Sequence, residues 1–209
     1  MKKRGDWTVI SKEKVYDNPW IAVYHHIVRD PSDNPGIYGH VHFKNRAIAI
    51  LPVDENLNTW MVGQFRFPLN SYSWEIPEGG GPVGTDPFEG AKRELREETG
   101  LKAGIFKPFL EMDLSNSVTD ESSVSYIALK LSEGRPEADS TENLQRRKIP
   151  LFKAFQWVEE KKIRDALSVA SLIKLQLIMY KNNIREYPAL LEYFKHFNPG
   201  KDSDNPSVD

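Results

Sequence analysis

Three glutamates, Glu94, Glu97 and Glu98, stand at spacings i, i+3 and i+4 in a segment that opens and closes like a helix. At about 100° per residue they project together in one wedge. Phe88, Ala91 and Leu95 form a narrow apolar stripe beside that wedge, and Lys92, Arg93 and Arg96 take the outer arc. Part of the pattern is an ordinary salt-bridged helix, since Glu89–Arg93 and Arg93–Glu97 are favourable i,i+4 pairs. Glu94 beside Glu98 is not: a like-charge i,i+4 pair costs roughly 0.2–0.5 kcal/mol, and a third acid adds to it. A hard divalent cation removes the repulsion, because Mg²⁺ takes carboxylate oxygens and commonly brings phosphates with it. The stretch just upstream, Glu78-Gly79-Gly80-Gly81-Pro82-Val83-Gly84, reads as a glycine-rich turn offering the close backbone approach and free N–H groups that a phosphate needs. These residues point to metal–phosphate chemistry, with a solvated helix as the plainer alternative.

The elements that must hold this wedge are legible around it. Asp86 suits an N-cap, Pro87 the first helical position, and Glu89 would complete a capping-box pair; Gly100 marks the stop. Upstream, Trp7–Ile10, Trp20–Val28 and Ile37–Phe43 read as a β-meander, separated by Asp17-Asn18-Pro19 and by the longer turn cluster Asp30–Gly36. Arg46–Val53, Thr59–Phe67 and Ser73–Pro77 read as strands, as do Phe106–Leu114, Val124–Leu131 and the stretch around Leu151–Trp157. A long helix is expected over Ile163–Tyr180, with Leu167, Ala170, Ser171, Ile173, Leu175, Leu177 and Ile178 as its apolar face. A short one is expected over Glu186–Phe197, and residues 198–209 read as a polar, disordered tail. The class is α+β with a mixed sheet. The division is an N-terminal β extension over 1–43, a catalytic domain over 44–197 and the tail.

Composition narrows the function classes. Of 209 residues, 39% are hydrophobic and 28% charged, which is ordinary for a globular chain. The net charge of −2, without a basic block interleaved with aromatics, argues against nucleic-acid binding. The chain has no cysteine, which removes disulfides, thiolate metal sites and cysteine nucleophiles. Charged residues follow Met1-Lys2-Lys3-Arg4 too closely for a signal-peptide core, and no run of ~18 apolar residues suggests a membrane span. A cytoplasmic protein is the expectation. His40 and His42 share a strand face, which permits a second metal site, although solvated strand histidines are commoner than ligands. Ser71 and Ser73 have no nearby histidine base, so a serine nucleophile is not supported.

Gly79 through Leu101 resembles the signature box of the Nudix hydrolases. That pattern runs Gly, five residues, Glu, seven residues, Arg-Glu, an aliphatic, any residue, Glu-Glu, any residue, Gly, an aliphatic. Every closing position from Arg93 to Leu101 matches, and Thr85 stands where the first glutamate belongs. The flanks Gln64–Leu69 and Trp74-Glu75-Ile76-Pro77-Glu78-Gly79-Gly80 are similar to the branch that cleaves ADP-ribose and nucleoside-diphosphate sugars. So are the β-rich N-terminal extension and Ala154–Glu160, so that the likeness covers about residues 6 to 182.

The resemblance implies the Nudix fold, an αβα sandwich around a mixed sheet, and Mg²⁺ as cofactor, with Mn²⁺ able to substitute. It implies Glu94 and Glu98 as metal ligands, Glu97 as a ligand or the holder of a metal-bound water, and the backbone carbonyl of Glu78 as a further ligand. Arg66 would contact the substrate's phosphates, with Glu75, Gly80 and Glu121 also on the substrate-binding side. Ser115–Glu121 matches a family loop reading Ser-Pro-Gly and ending in glutamate, with Asn116 and Ser117 replacing its Pro and Gly. The general base would come from a loop before the last strand, with Glu142 first and Asp139 second. The branch forms homodimers through its extension, which would let Trp20 stack on the base in the partner's pocket; a plain dimer-core role is the alternative. The implied reaction is hydrolysis of the diphosphate of ADP-ribose or a nucleotide sugar. A triphosphate-sanitising enzyme and a non-catalytic nucleotide sensor are the rivals.

Overall fold

A computed structural model describes residues 2–134 and 144–199. The chain forms two compact units, one of Met1–Ala47, Gly80–Thr85 and Met112–Ser123, the other of Ile48–Gly79, Asp86–Glu111 and Val124–Asp209.

The first unit is built on an antiparallel sheet of β1 (Lys2–Arg4), β2 (Trp7–Asp17), β3 (Ile21–Arg29) and β4 (Pro35–Phe43), in that order. β2 runs well past the predicted Ile10, because its second half is polar and exposed and carries no apolar alternation to read. Asn18 closes the next turn by accepting from the Trp20 and Ile21 N–H groups at 2.9 and 2.8 Å. Asp30 does the same at the longer turn, taking the Ser32 and Asn34 N–H groups at 2.9 and 2.8 Å. These side chains mimic backbone turn bonds, which is why such residues cluster there.

The remaining strands are β5 (Asn45–Pro52), β6 (Asn58–Arg66), β7 (Ser71–Glu75), β8 (Glu78–Pro82), β9 (Leu101–Leu114), β10 (Glu121–Glu133) and β11 (Gln145–Pro150). They make two further sheets, in the orders β8-β5-β10-β9 and β11-β6-β7. The helices are α1 (Pro87–Thr99), α2 (Leu151–Glu159), α3 (Ala166–Lys181) and α4 (Tyr187–His196), and the class is α+β as expected. Among the described residues no helix is long and apolar enough to cross a membrane.

In the second unit, helices cover both faces of one sheet. Ala91 and Leu95 of α1 pack with Ile48, Ile50, Leu101, Val124, Tyr126 and Ala128 in one buried cluster. The intervening residues of β10 point the other way, and Ser125 meets Ser171 of α3 through a 2.8 Å hydroxyl–hydroxyl bond. Phe194 of α4 packs edge-to-face on Phe109 of β9, with centroids 6.2 Å apart. This is the αβα sandwich, held mainly by apolar burial of about 1.5–3 kcal/mol for each fully buried Leu, Ile or Phe.

Four readings need correction. Leu151–Trp157 is not a strand but the body of α2, because Leu151, Ala154 and Trp157 bury one helical face at spacing three. The strand lies just before it as β11, an edge strand of sequence QRRKIP with no alternation to betray it. Most of the glycine-rich stretch is strand rather than turn, since Glu78–Pro82 forms β8 and the turn is confined to Val83 and Gly84, the latter at φ 88°. On α3, Ile173 and Leu177 are exposed while Ser168 and Leu172 are buried, so the apolar face is rotated from the predicted one. α3 also starts later than expected, at Ala166, after the N-cap Asp165.

Candidate active site

The wedge is set by α1. Asp86 caps its start by accepting the Phe88 N–H at 2.9 Å, and Pro87 occupies the first turn. The predicted capping box is not closed: Glu89 instead accepts from Lys92 at 2.9 Å, a charge-assisted pair one turn on. Gly100 ends the helix at φ 76°, a left-handed conformation that an L side chain resists. Its N–H donates to the Arg96 carbonyl at 2.8 Å. From β11, Arg146 donates to the last carbonyls, those of Glu97 and Glu98, satisfying groups the helix itself leaves open. Thr85, the departure from the box, closes the turn before the helix through a 2.7 Å bond from its hydroxyl to the Pro82 carbonyl.

Ala91 and Leu95 anchor the buried stripe at 0% exposure and so aim the acids beside it. Glu98 is buried at 4% and accepts the Glu78 N–H at 2.9 Å. The Glu94 side chain is 13% exposed and its carboxylate lies against Gly79, where an added Cβ would meet its atoms at 2.2–2.5 Å. The glycine is required by that approach. Glu97, 32% exposed at its side chain, faces Arg93 at 3.8 Å, and Arg93 also bonds to Glu94.

A second group of charges sits on the same short segment. Arg66 donates from Nε to both Glu75 oxygens at 3.0 and 3.1 Å, and from Nη2 to Glu75 and Glu78 at 2.5 Å each. Burial works against the Arg66 charge, but hydrogen bonding to Glu75 and the charges of Glu78 and Glu75 outweigh it and stabilise the guanidinium. The Glu78 carboxyl is pushed well above the usual carboxylate range, first by burial and then by the charges of Asp165 and Glu75, against the pull of Arg66. Glu78 Oε2 is buried without a hydrogen-bond partner.

Glu75, Glu78 and Asp165 bring carboxylate oxygens within 4.8 Å of one another, an acidic cluster able to hold a divalent metal. Among the described residues Glu94, Glu97 and Glu98 do not converge as tightly as a trio. The donor set nonetheless fits a hard cation, since Glu94 and Glu98 are like charges one turn apart, both shielded from water. Thus Arg66, Glu75, Glu78, Glu94 and Glu98 all have contacts at residues 75–79. Asp165 and Arg146 were not anticipated. Asp165 carried a readable N-cap signal, but nothing in sequence pairs it with Glu78.

The other expected residues lie elsewhere or in the first unit. Trp20 is 65% exposed at the turn into β3. Gly80 follows Gly79 on β8, where a Cβ would sit 3.5 Å from that of Asn45. Glu121 opens β10, and burial raises its carboxyl above the ordinary range. The loop before it turns at Ser115, φ 52°, whose carbonyl takes the Val118 and Thr119 N–H groups at 3.0 Å. His40 and His42 both face Asp120, at 3.2 and 2.6 Å, and among the described residues they do not converge as a metal-ligand set. Burial alone would raise the Asp120 carboxyl, but bonds from His42 and the Phe43 N–H hold it below its usual value. Glu142 and Asp139 lie outside the described residues.

The chain is similar to known proteins over most of its length. The NUDIX domain model matches residues 43–175, and the model for the nucleoside diphosphate sugar hydrolase N-terminal domain matches residues 7–41. An ADP-ribose pyrophosphatase of Mycobacterium tuberculosis is 32% identical over 177 residues, covering 83% of this chain and 84% of that one. An ADP-ribose pyrophosphatase of Bacillus subtilis is 31% identical over 170 residues, covering 80% and 91%. A crystal structure of an ADP compounds hydrolase shares the fold at TM-score 0.76 and 19% identity, covering 87% of this chain and 98% of that chain.

Proposed function

Because the chain belongs to the Nudix hydrolase family, we propose that it hydrolyses the diphosphate of ADP-ribose or a nucleoside-diphosphate sugar, with Mg²⁺ as cofactor. The products are a nucleoside monophosphate and a sugar phosphate; from ADP-ribose, AMP and ribose 5-phosphate. The observation that carries this reading is the convergence on residues 75–79. One short segment holds a phosphate-suited guanidinium through Glu75 and Glu78, and receives two buried helix carboxylates at Glu78 N–H and Gly79.

Glu94, Glu97, Glu98 and the Glu78 carbonyl are the groups that would hold the ion. When bound, Mg²⁺ supplies neutralisation of the charge that builds on the diphosphate in the transition state. The protein's own groups do the rest. Arg66 keeps its guanidinium on Glu75 and Glu78, and its Nη1 makes no hydrogen bond among the described residues, which leaves a donor for a phosphate oxygen. Glu97, the most exposed of the three box acids, is suited to holding the attacking water. Glu142 is the assigned proton acceptor. Glu121 is assigned to substrate binding, and the exposed Trp20 to the base in a partner's pocket.

The reading includes a homodimer. The first unit leaves Ile10, Val15, Tyr16, Trp20, Ile27 and Ile37 exposed, more apolar surface than a lone small sheet usually presents. A Mg²⁺-dependent activity panel tests the substrate class: ADP-ribose, GDP-mannose and a nucleoside triphosphate, with product identification. Turnover of the diphosphate sugars well above the triphosphate supports the proposal. Preference for the triphosphate favours a sanitising enzyme, and binding without turnover favours a nucleotide sensor.

A further inference from the structure

We propose that Arg146 is a positioning residue for the metal-binding acids, clamping the last turn of α1 to β11 through the backbone carbonyls of Glu97 and Glu98. The inference rests on the reading above, in which those acids hold a divalent ion.

Glu97 and Glu98 lie just before the end of α1 at Thr99. An α-helix leaves its last four carbonyls without intrahelical partners, and a last turn whose carbonyls find no other donor frays. In α1 the first of these, that of Arg96, is taken by the Gly100 N–H at 2.8 Å. The next two are taken from outside the helix. Arg146 donates from Nε to the Glu98 carbonyl and from Nη2 to the Glu97 carbonyl, the latter at 3.3 Å. A guanidinium suits this place, since its donors sit in a rigid fork and its charge complements the negative end of the helix dipole.

Strand register aims Arg146 at the helix. It stands opposite Val62 of β6, and Val62 stands opposite Glu75 of β7, so the three side chains share one face of the sheet. Alternation sends the next residue, Arg147, to the other face, where its guanidinium lies 4.5 Å from the centre of the Trp74 ring. One row across this sheet therefore carries two anchors. Glu75 holds Arg66 through both oxygens at 3.0 and 3.1 Å, and Arg146 holds the end of α1. Glu98 is fixed at two points, its side chain by the Glu78 N–H at 2.9 Å and its main chain by Arg146.

Without Arg146, the turn that carries Glu97 and Glu98 loses its tie to the sheet. Glu94 lies one turn earlier, beside the fully buried Leu95, and keeps its place. The loss therefore falls on affinity for the ion. Outer groups that hold metal ligands in place are typically worth 10–100-fold in metal affinity. Arg146 itself is exposed on an edge strand, so its truncation opens no cavity in the core.

The test titrates the full chain with Mn²⁺ alone and follows the free ion by electron paramagnetic resonance, alongside Tm. Arg146→Ala is expected to bind Mn²⁺ about tenfold more weakly than the wild type. Asp86→Ala removes the N-cap at the far end of the same helix, and so lowers Tm without touching the acid-bearing turn. Its Mn²⁺ affinity should stay within about twofold of the wild type. In a Glu98→Gln background, Arg146→Ala should cost about threefold or less, because the two changes act on one ligand.

Wild-type Mn²⁺ affinity in a folded Arg146→Ala protein overturns the inference. So does an equal loss in Asp86→Ala, or an undiminished tenfold effect in the Glu98→Gln background. If Arg146→Ala does not fold, Arg146→Gln, which lacks the fork, is judged by the same criteria. A wild-type protein that takes up no Mn²⁺ at millimolar concentration also overturns it. One that binds Mn²⁺ with the expected pattern of variants but hydrolyses no diphosphate sugar defeats the functional reading and leaves the clamp in place.

Discussion

Replacing Gly79 with alanine separates the site from the fold more cleanly than removing an acid. The new methyl would lie 2.2 Å from Glu94 Cδ and 2.3 and 2.5 Å from its two oxygens, where ordinary contact begins near 3.4 Å. The carboxylate must therefore retreat by roughly 1 Å, a displacement of the size that can cost 10²-fold in rate when it misplaces a reacting group. That loss corresponds to about 2.7 kcal/mol of transition-state stabilisation. Stability should barely respond. The obstructing atoms are the end of a flexible side chain, and Gly→Ala lowers unfolded-state entropy by about 0.4–1 kcal/mol where the backbone tolerates it. Urea unfolding is expected to move by less than about 1 kcal/mol while kcat for ADP-ribose falls by about 10²-fold. A stable Gly79→Ala enzyme with activity within threefold of the wild type would refute the argument that Glu94 works from this position.

Other consequences follow from single residues. Asp54 is 3% exposed, paired with Lys148 at 2.7 Å and capped by the Asn56 and Asn58 N–H groups; although burial would raise its carboxyl, these partners hold it below the ordinary value. A depressed folded-state pKa contributes stability above the unfolded value near ~3.9, and that contribution is lost as pH falls through the folded one. Asp54→Ala should therefore cost about 1–3 kcal/mol at pH 7 and show a shallower loss in acid, checked by urea melts from pH 7 to 3; equal pH slopes in both proteins would contradict this. Light scattering should report a particle of twice 24.0 kDa, and Ile27→Asp with Ile37→Asp should halve it; a wild-type monomer at micromolar concentration would remove the dimer and Trp20's role in it. Glu142→Gln should lower kcat by about 10²–10⁴-fold with little change in KM. Full turnover in that variant together with loss in Asp139→Asn would move the base to Asp139.

What the sequence disclosed was local. The stripe Ala91–Leu95, the wedge beside it, the Asp86 cap and the Gly100 stop depend on residues within a few turns of one another, and each was readable. The site at residues 75–79 was readable only through resemblance, since the Arg66–Glu75 pair joins adjacent strands and leaves no periodic trace. Glu78–Asp165 and Arg146–Glu98 join residues far apart in the chain, and no spacing rule connects them. The misplaced strand has a physical cause too: β11 is a polar edge strand, while α2 is short and rich in Phe, Val and Trp, residues that suit strands as well as helices. The glycine run misled in the same way, because Gly79 serves close approach of a carboxylate rather than a turn.

The central claim is that the buried acids of α1 support cleavage of a diphosphate between its two phosphorus atoms. Phosphorus NMR of ADP-ribose incubated with enzyme and Mg²⁺ reads this directly. The diphosphate signals should give way to two phosphomonoester signals, those of AMP and ribose 5-phosphate, in equal amounts. Glu98→Gln, whose side chain keeps its size at a 4% exposed position, should slow that conversion at least ~10³-fold while remaining folded. Release of inorganic phosphate, or conversion by Glu98→Gln at the wild-type rate, would contradict the account.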